Sequence, residues 1–249
     1  MAVIEVTGLA KRYGPVTAVD DLSFAVGEGQ VVGFLGPNGA GKTTTLRMLV
    51  GLIRPDAGRA TINGRPYAAL SAPTAAVGAV FETSSFHPGR TARNHLRVQA
   101  LAADAGPGRI EDVLALVDLS DVADQRVGTF SLGMRQRLGL ATALLADPRA
   151  LILDEPANGL DPEGVRWLRD LLRSMAAAGT AVLVSSHILA EVAHTADSVV
   201  IVNHGRLVTQ APVAELTVSA GLEDVFLGLT AGPSDRGASH RHTTPEESR

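Results

Sequence analysis

A run of nine residues has the composition and spacing of a loop that binds phosphate groups. The run reads Gly36-Pro37-Asn38-Gly39-Ala40-Gly41-Lys42-Thr43-Thr44 and fits the pattern G-x-x-x-x-G-K-T. Its glycines let the backbone turn tightly with several N–H groups pointing inward, and a helix starting near Gly41 adds its positive end. Lys42 would contact the β- and γ-phosphates, and the Thr43 hydroxyl would bind Mg²⁺. We therefore expect ATP or GTP as the ligand.

The residues on either side of this loop favour the same interpretation. Val31 to Leu35 form an apolar run that is typical of a buried parallel strand, and Thr44 to Leu52 have helical apolar spacing. A glycine-rich surface loop is the alternative, but such a loop does not require a strand before it and a helix after it. The flanks therefore predict a strand, a phosphate loop and a helix in succession.

Composition limits the classes of protein to which the chain can belong. Its 249 residues are enough for one large α/β domain, or for a core with a small inserted domain. The absence of cysteine excludes disulfides and thiolate metal sites. A net charge of −4 without a dense basic block argues against nucleic acid as a partner. No signal sequence or apolar run of about 18 residues is present, so we expect a cytosolic chain that reaches a membrane only through another subunit.

The first 64 residues predict a small antiparallel sheet beside the main one. Val3–Thr7 and Leu22–Val26 alternate apolar and polar residues, as strands with one buried face do. Ala60–Ile62 leads into Asn63-Gly64, which is a turn signal.

Helical spacing dominates the middle of the chain and predicts an inserted helical subdomain at about residues 86–147. The predicted helices are Thr91–Ala103, Ile110–Leu119 and Leu132–Ala146. Short apolar runs and helices then alternate, as in an α/β fold. The apolar runs are Ala150–Leu153, Thr180–Ser185 and Val199–Val202, and the helices are Pro162–Ala178 and Ile188–Ala193. Asp161 is the predicted N-cap of the first of these helices, and Gly179 is the residue that ends it. Residues 229–249 are polar and predict a disordered tail.

Two acids follow an apolar strand and are candidates for the chemistry at the phosphates. Asp154 and Glu155 come directly after Leu151–Leu153. Asp154 is placed to hold Mg²⁺, and Glu155 is the candidate general base that activates water. An ordinary strand end is the alternative, which the matching phosphate loop disfavours.

A further segment resembles the signature motif of ATP-binding cassette ATPases. Phe130 to Arg137 reads F-S-L-G-M-R-Q-R and lies at a predicted helix start shortly before the two acids. Three other segments resemble motifs of this family: Tyr13 the aromatic loop that stacks on adenine, Gly159-Leu160-Asp161 the D-loop, and Ser185-Ser186-His187 the switch-histidine loop. The resemblance covers residues 2–228.

This resemblance implies a fold and a set of roles. The fold is α/β: a P-loop NTPase (RecA-like) core with a mixed sheet, an N-terminal antiparallel β subdomain and an inserted α-helical subdomain. Two cassettes of such a family enclose two ATP molecules, so the segment Ser131, Leu132, Gly133 and Met134 would face the γ-phosphate bound by a partner. His187 would bind a γ-phosphate oxygen or Glu155. Taken alone, Tyr13 could simply pack, Ser131 could be an N-cap, and His187 could be structural.

Two positions depart from the family pattern. Glu82 stands where the family usually has a glutamine that contacts Mg²⁺ and the attacking water. A carboxylate can bind Mg²⁺ but cannot donate a hydrogen bond at neutral pH. Leu132 and Met134 replace the glycine and glutamine that many members have in the signature.

Within the family, the segment from Phe86 to Leu96 resembles the group that serves exporters of antibiotics, drugs or other hydrophobic compounds. We therefore expect an ATPase subunit, a homodimer or heterodimer, at the cytoplasmic face of the membrane, bound to separate permease subunits. Phe86, Arg90 and Arg93 are the expected permease contacts, with a solvent-facing helix start as the alternative. A soluble ATPase without a permease, or an importer or lipid-type transporter, remains the alternative function.

Overall fold

The computed structural model describes residues 1–81, 86–106, 108–188, 192 and 194–216, in which the strands form two sheets. The smaller sheet contains β1 (Ala2–Tyr13), β2 (Val16–Gly27) and β4 (Ala57–Ile62). The larger contains β3 (Val31–Leu35), β5 (Val77–Val80), β6 (Ala150–Asp154), β7 (Ala181–Ser186), β8 (Ser198–Asn203) and β9 (Arg206–Pro212). The helices are α1 (Lys42–Leu49), α2 (Pro73–Ala76), α3 (Ala92–Ala103), α4 (Arg109–Leu116), α5 (Leu132–Ala143), α6 (Pro162–Ala177) and α7 (Val213–Leu216).

The strand order confirms the predicted mixed sheet with an antiparallel sheet beside it. The smaller sheet has the order β2-β1-β4 and is antiparallel throughout. The larger has the order β5-β6-β7-β3-β8-β9, in which only the β8–β9 pair is antiparallel. This order places the end of β3, which precedes the phosphate loop, beside the end of β7, and the end of β6 lies one strand further along the sheet. The carboxyl ends of parallel strands are where such folds bind ligands.

The central strands are buried on both faces because each face of the sheet carries its own apolar layer. Alternate residues of β3 belong to opposite apolar layers: Leu35 to the layer that includes residues of the helices α3 to α6, and Phe34 to the layer that includes residues of α1 and the smaller sheet. β3 and β6 are consequently buried at every residue. This explains why both strands read as continuous apolar runs in the sequence.

Several helices end earlier than their apolar spacing predicts. α1 ends at Leu49 and not at Leu52, and α4 ends at Leu116 and not at Leu119. Gly51 and Asp118 have φ values of 70° and 57°, which a right-handed helix cannot contain. The cap predicted at Asp161 is confirmed, because its Oδ1 accepts a hydrogen bond from Gly164 N at 2.7 Å. Most of the predicted helix Ile188–Ala193 and all of residues 229–249 lie outside the described residues.

A buried histidine lies in the core of the helical region formed by α3, α4 and α5. His95 is 6 % exposed, its Nε2 lies 3.2 Å from Thr142 Oγ1, and its ring meets the edge of Phe86 at 5.1 Å. Burial, and to a smaller extent the charge of Arg90, lowers the pKa of His95 below its ordinary value of 6.5. The folded chain therefore favours the neutral ring.

We expect the free energy of unfolding to fall as the pH is lowered from about 7.5 to about 5.5, because the unfolded chain then binds a proton that folded His95 resists. The contribution is fully present above the ordinary pKa and is lost as the pH falls below it. Urea unfolding followed by the fluorescence of Trp167, the single tryptophan, measures this. His95→Gln should show a weaker pH dependence, and His204→Asn, at an exposed histidine, should behave like wild type. Equal pH dependence in wild type and His95→Gln would contradict the prediction.

Candidate nucleotide site

The phosphate loop connects the end of β3 to the start of α1 and needs glycine where the backbone is crowded. Gly41 caps α1 with a φ of 96°, in the left-handed region. A Cβ atom at Gly41 would lie 2.3 Å from Ala18 O, and one at Gly36 would lie 2.4 Å from Val202 O. Any larger residue at these two positions would push the loop away from the sheet. The glycines of the motif therefore fix how closely the loop packs on the core.

Lys42 lies at the bottom of the cleft that this loop encloses. Its side chain is 6 % exposed, and its Nζ donates to Gly36 O at 2.7 Å. The same ammonium is 3.4 Å from Glu155 Oε1. The cleft has a volume of about 210 Å³ and is lined by Ala18, Pro37, Asn38, Gly39, Ala40, Gly41, Lys42, Thr43, Thr44 and Glu155. All the predicted phosphate-binding residues except Gly36, whose carbonyl holds Lys42, thus line one cleft.

The two acids lie where β6 ends, beside the end of β7. Asp154 is 1 % exposed and is paired in register with Ser185, whose hydroxyl donates to Asp154 Oδ1 at 2.8 Å. Glu155 leaves the strand with a φ of 51° and extends its carboxylate towards the cleft. Because of this turn, the two neighbouring acids point to different surroundings.

His187 completes a chain of contacts that runs through the cleft. Its Nδ1 lies 2.9 Å from Glu155 Oε2, while Glu155 Oε1 faces Lys42. The imidazole is 41 % exposed, whereas the carboxylate is 12 % exposed. The structure therefore brings together Lys42, Glu155 and His187, three residues that the sequence places far apart.

The signature segment, Ser131 to Met134, lies away from this cleft. Ser131 is the N-cap of α5, with its Oγ accepting from Met134 N at 3.1 Å, so the capping interpretation holds at this position. Leu132 is 56 % exposed and packs on Gly159, where a Cβ atom would lie 2.2 Å from Leu132 Cδ2. Among the residues that line the described cleft, none belongs to the segment from Ser131 to Met134. Ser131 and Leu132, at the N-terminus of α5, are instead exposed at the surface of the chain.

Of the two remaining candidate residues, Tyr13 is described by the structure and Glu82 is not. Tyr13 ends β1 and is 46 % exposed, with Lys11 Nζ 5.6 Å from the centre of its ring. Its ring is open to a purine but does not line the cleft, so adenine stacking stays a prediction. Glu82, the predicted substitute for a glutamine, lies outside the described residues.

Ser185, which the sequence indicates only as part of the segment resembling the switch-histidine loop, contacts both acids through its hydroxyl. Glu155 N donates to Ser185 Oγ at 3.0 Å, in addition to the contact with Asp154. The available signal was a serine directly after the apolar residues Ala181–Val184.

Comparisons with known proteins agree with this geometry. The family described as ABC transporter matches residues 19–158. The chain is 42 % identical to the bacitracin transport ATP-binding protein BcrA of Bacillus licheniformis, over 86 % of this chain and 71 % of that protein. It is 38 % identical to the Nod factor export ATP-binding protein I of Burkholderia orbicola, over 90 % of this chain and 75 % of that protein. A solved structure of an ATP-binding subunit of an ABC transporter superposes with a TM-score of 0.83 and 30 % identity, covering 91 % of this chain and 99 % of that one.

Proposed function

We propose that this chain, which belongs to the ABC transporter family and is the subunit that binds and hydrolyses ATP, powers a separate membrane permease. The permease would export an antibiotic, drug or other hydrophobic compound. The observation that carries the ATPase assignment is the chain of contacts Lys42–Glu155–His187 across the phosphate cleft. The direction and the class of compound rest on the relatives, one named for bacitracin transport and one for Nod factor export.

The contacts of Glu155 support its role as the general base. Lys42 pairs with Glu155 at 3.4 Å. The phosphates of ATP would compete for the ammonium, because they carry more charge than one carboxylate. Glu155 would then be free to accept a proton from the attacking water, while His187 holds its other oxygen.

The donor atoms at the cleft fit Mg²⁺. Thr43 offers a hydroxyl at the cleft, and Asp154 offers a buried carboxylate whose Oδ1 is held by Ser185. These are oxygen ligands, which Mg²⁺ prefers. Mg²⁺ bound there would neutralise charge on the phosphates while the γ-phosphoryl group is transferred to water. We propose Thr43 and Asp154 as its protein ligands, with Glu82 as a third.

A second cassette is needed to complete the site. The signature segment does not line the cleft of its own chain, and Gly133 lies in the first turn of α5, where free amides point outwards. We propose that Ser131 and Gly133 contact the γ-phosphate of ATP bound by a partner, which is a second copy or a related subunit. ATP binding would close this dimer, and hydrolysis would reopen it.

Arg93, expected from the sequence to contact the permease, is engaged within the chain. Its guanidinium forms ion pairs with Asp124 and Glu111 and so connects α3 to α4 and to the loop after it. Phe86 packs on His95 inside the helical region. Both side chains thus have contacts within the chain, their contact with a permease stays a prediction, and a neighbouring groove offers a second candidate surface.

This groove lies between the sheet edge at β5 and the helices α3 and α5. It has a volume of about 180 Å³, and its lining includes Tyr67, Val77, Gln99, Ala102 and Ala103. Gln99, Ala102 and Ala103 form the α3 wall of the groove, whereas the exposed side chains of Leu101 and Val98 project from other faces of this helix. A concave surface lined largely by short apolar side chains is typical of one that receives an apolar helix. We propose that a cytoplasmic helix of the permease binds here.

The test is to recover the tagged chain from gently solubilised membranes of its host and to identify co-purifying proteins by mass spectrometry. We expect a partner with several membrane spans, and we expect Ala102→Asp, at an exposed alanine that lines the groove, to reduce its recovery at least about tenfold by placing a charge in an apolar contact. Leu207→Asp, on the opposite edge strand β9, is the matched control. Recovery only from the soluble fraction, with ribosomes or DNA, would favour the soluble alternative and overturn the proposal.

The localisation follows from the same proposal. None of the helices in the described ranges combines the length and apolar character of a membrane span. The chain would lie at the cytoplasmic face of the membrane through its permease, and no nucleic acid is expected.

A further inference from the structure

The hydroxyl of Ser185 connects the two acids of the site. Ser185 lies one residue before the end of β7, is fully buried, and pairs in register with Asp154 on β6. Its O–H donates to Asp154 Oδ1 at 2.8 Å, and its oxygen accepts the backbone N–H of Glu155 at 3.0 Å. A single side chain thus holds the carboxylate of one acid and the backbone of the next.

Both contacts restrain groups that would otherwise adopt other positions. Asp154 is 1 % exposed, and a buried carboxylate without a hydrogen bond is costly. Glu155 has a φ of 51°, a left-handed conformation that residues other than glycine adopt only when the surroundings hold them. The bond from Glu155 N to Ser185 is one such restraint. It fixes the direction in which the Glu155 side chain leaves β6 towards Lys42 and His187.

We infer that Ser185 is a positioning residue for ATP hydrolysis, which orients Asp154 towards Mg²⁺ and Glu155 towards the attacking water. The inference rests on the proposed use of these two acids. Ser185 does not line the phosphate cleft, so it acts through its neighbours and not on the nucleotide. Hydrogen-bond partners of metal ligands typically change metal affinity or activity about ten- to hundredfold when they are removed.

If Ser185 only packed in the core and positioned neither acid, its removal would have a different effect. Loss of packing alone would lower the melting temperature and leave the effect of Mg²⁺ on nucleotide binding unchanged. The decisive quantity is therefore a ratio of two dissociation constants for the non-hydrolysable ATP analogue AMP-PNP: the constant measured in EDTA divided by the constant measured in Mg²⁺. This ratio reports the metal contacts without requiring turnover.

We expect Ser185→Ala to lower this ratio about tenfold or more and to lower kcat, with little change of the constant in EDTA. The constant in EDTA depends on the phosphate loop and Lys42, which Ser185 does not contact. Ser185→Thr keeps the hydroxyl and should restore the ratio. Ser185→Cys keeps the shape with a weak donor and should lie between, which provides a second variant if alanine impairs folding. Ser174→Ala, which removes a hydroxyl bonded to Leu171 O on α6, is the control and should match wild type.

The outcomes separate this inference from the proposed function. A wild-type chain that binds AMP-PNP more tightly with Mg²⁺, together with an unchanged ratio and kcat in Ser185→Ala, would overturn the role of Ser185 alone. A wild-type chain whose nucleotide binding is indifferent to Mg²⁺ and that hydrolyses no ATP would overturn the proposed function, and this inference with it. A fall in melting temperature alone also counts against the inference.

Discussion

Replacing Glu155 with glutamine should lower the rate of ATP hydrolysis about a hundredfold or more and leave ATP binding intact. Glutamine has nearly the same shape but cannot accept the proton of the attacking water, and general-base catalysis contributes about 10² to 10⁴ to such rates. Binding should persist because the phosphate loop is untouched. Loss of the carboxylate also removes the 3.4 Å ion pair with Lys42, so the ammonium becomes more available to the phosphates.

Phosphate release measures the rate, and equilibrium titration with a fluorescent ATP analogue measures the affinity. Glu163→Gln, at an exposed acid in the first turn of α6, is the matched control and should keep the wild-type rate. Wild-type hydrolysis by Glu155→Gln would mean that another group activates the water.

The second large effect is expected from Gly133→Asp in the signature segment. A Cβ atom at Gly133 would make only ordinary contacts, the nearest being Gly159 O at 3.5 Å. Gly133 also lies in the first turn of α5, where a negative charge stabilises a helix. The substitution should therefore leave the melting temperature unchanged. It should nevertheless lower hydrolysis about a hundredfold or more, because like charges brought together in an interface cost several kcal/mol.

Gly133→Asn separates the charge from the added volume. It has the shape of the aspartate without its charge, so we expect it to retain much more activity in the same phosphate-release assay. Binding of ATP to the isolated chain should be equal in both variants, because Gly133 does not line the cleft of its own chain. Full activity of Gly133→Asp would show that the signature segment does not face the nucleotide.

The phosphate loop and the central strands could be predicted because their patterns are local. The loop needs glycine at Gly36 and Gly41 where the sheet is close, and β3 is apolar throughout because both of its faces are covered. Spacing and turn signals likewise located the antiparallel sheet. The edge strands β5 and β9 were not predicted, since β5 has only four residues and every residue of β9 is partly or fully exposed.

The contacts that organise the site depend on distant pairs and could not be derived from local patterns. Ser185 meets Asp154 because β6 and β7 pair in a particular register, although 31 positions separate them. The ion pairs of Arg93 with Asp124 and Glu111 likewise could not be derived, because they join positions 18 and 31 residues away. His187 was assigned to the site through family resemblance, and its contact with Glu155 agrees with that assignment.

An equal mixture of Glu155→Gln and Gly133→Asp chains tests most directly whether each ATP is hydrolysed between two chains. Each variant alone should be nearly inactive, since every site in its dimer carries one defect. A mixed dimer has one site with both defects and one with neither. If the chains pair at random, the mixture should recover about a quarter of the wild-type rate. A mixture no more active than its two components, under conditions in which the chains exchange, would contradict the account.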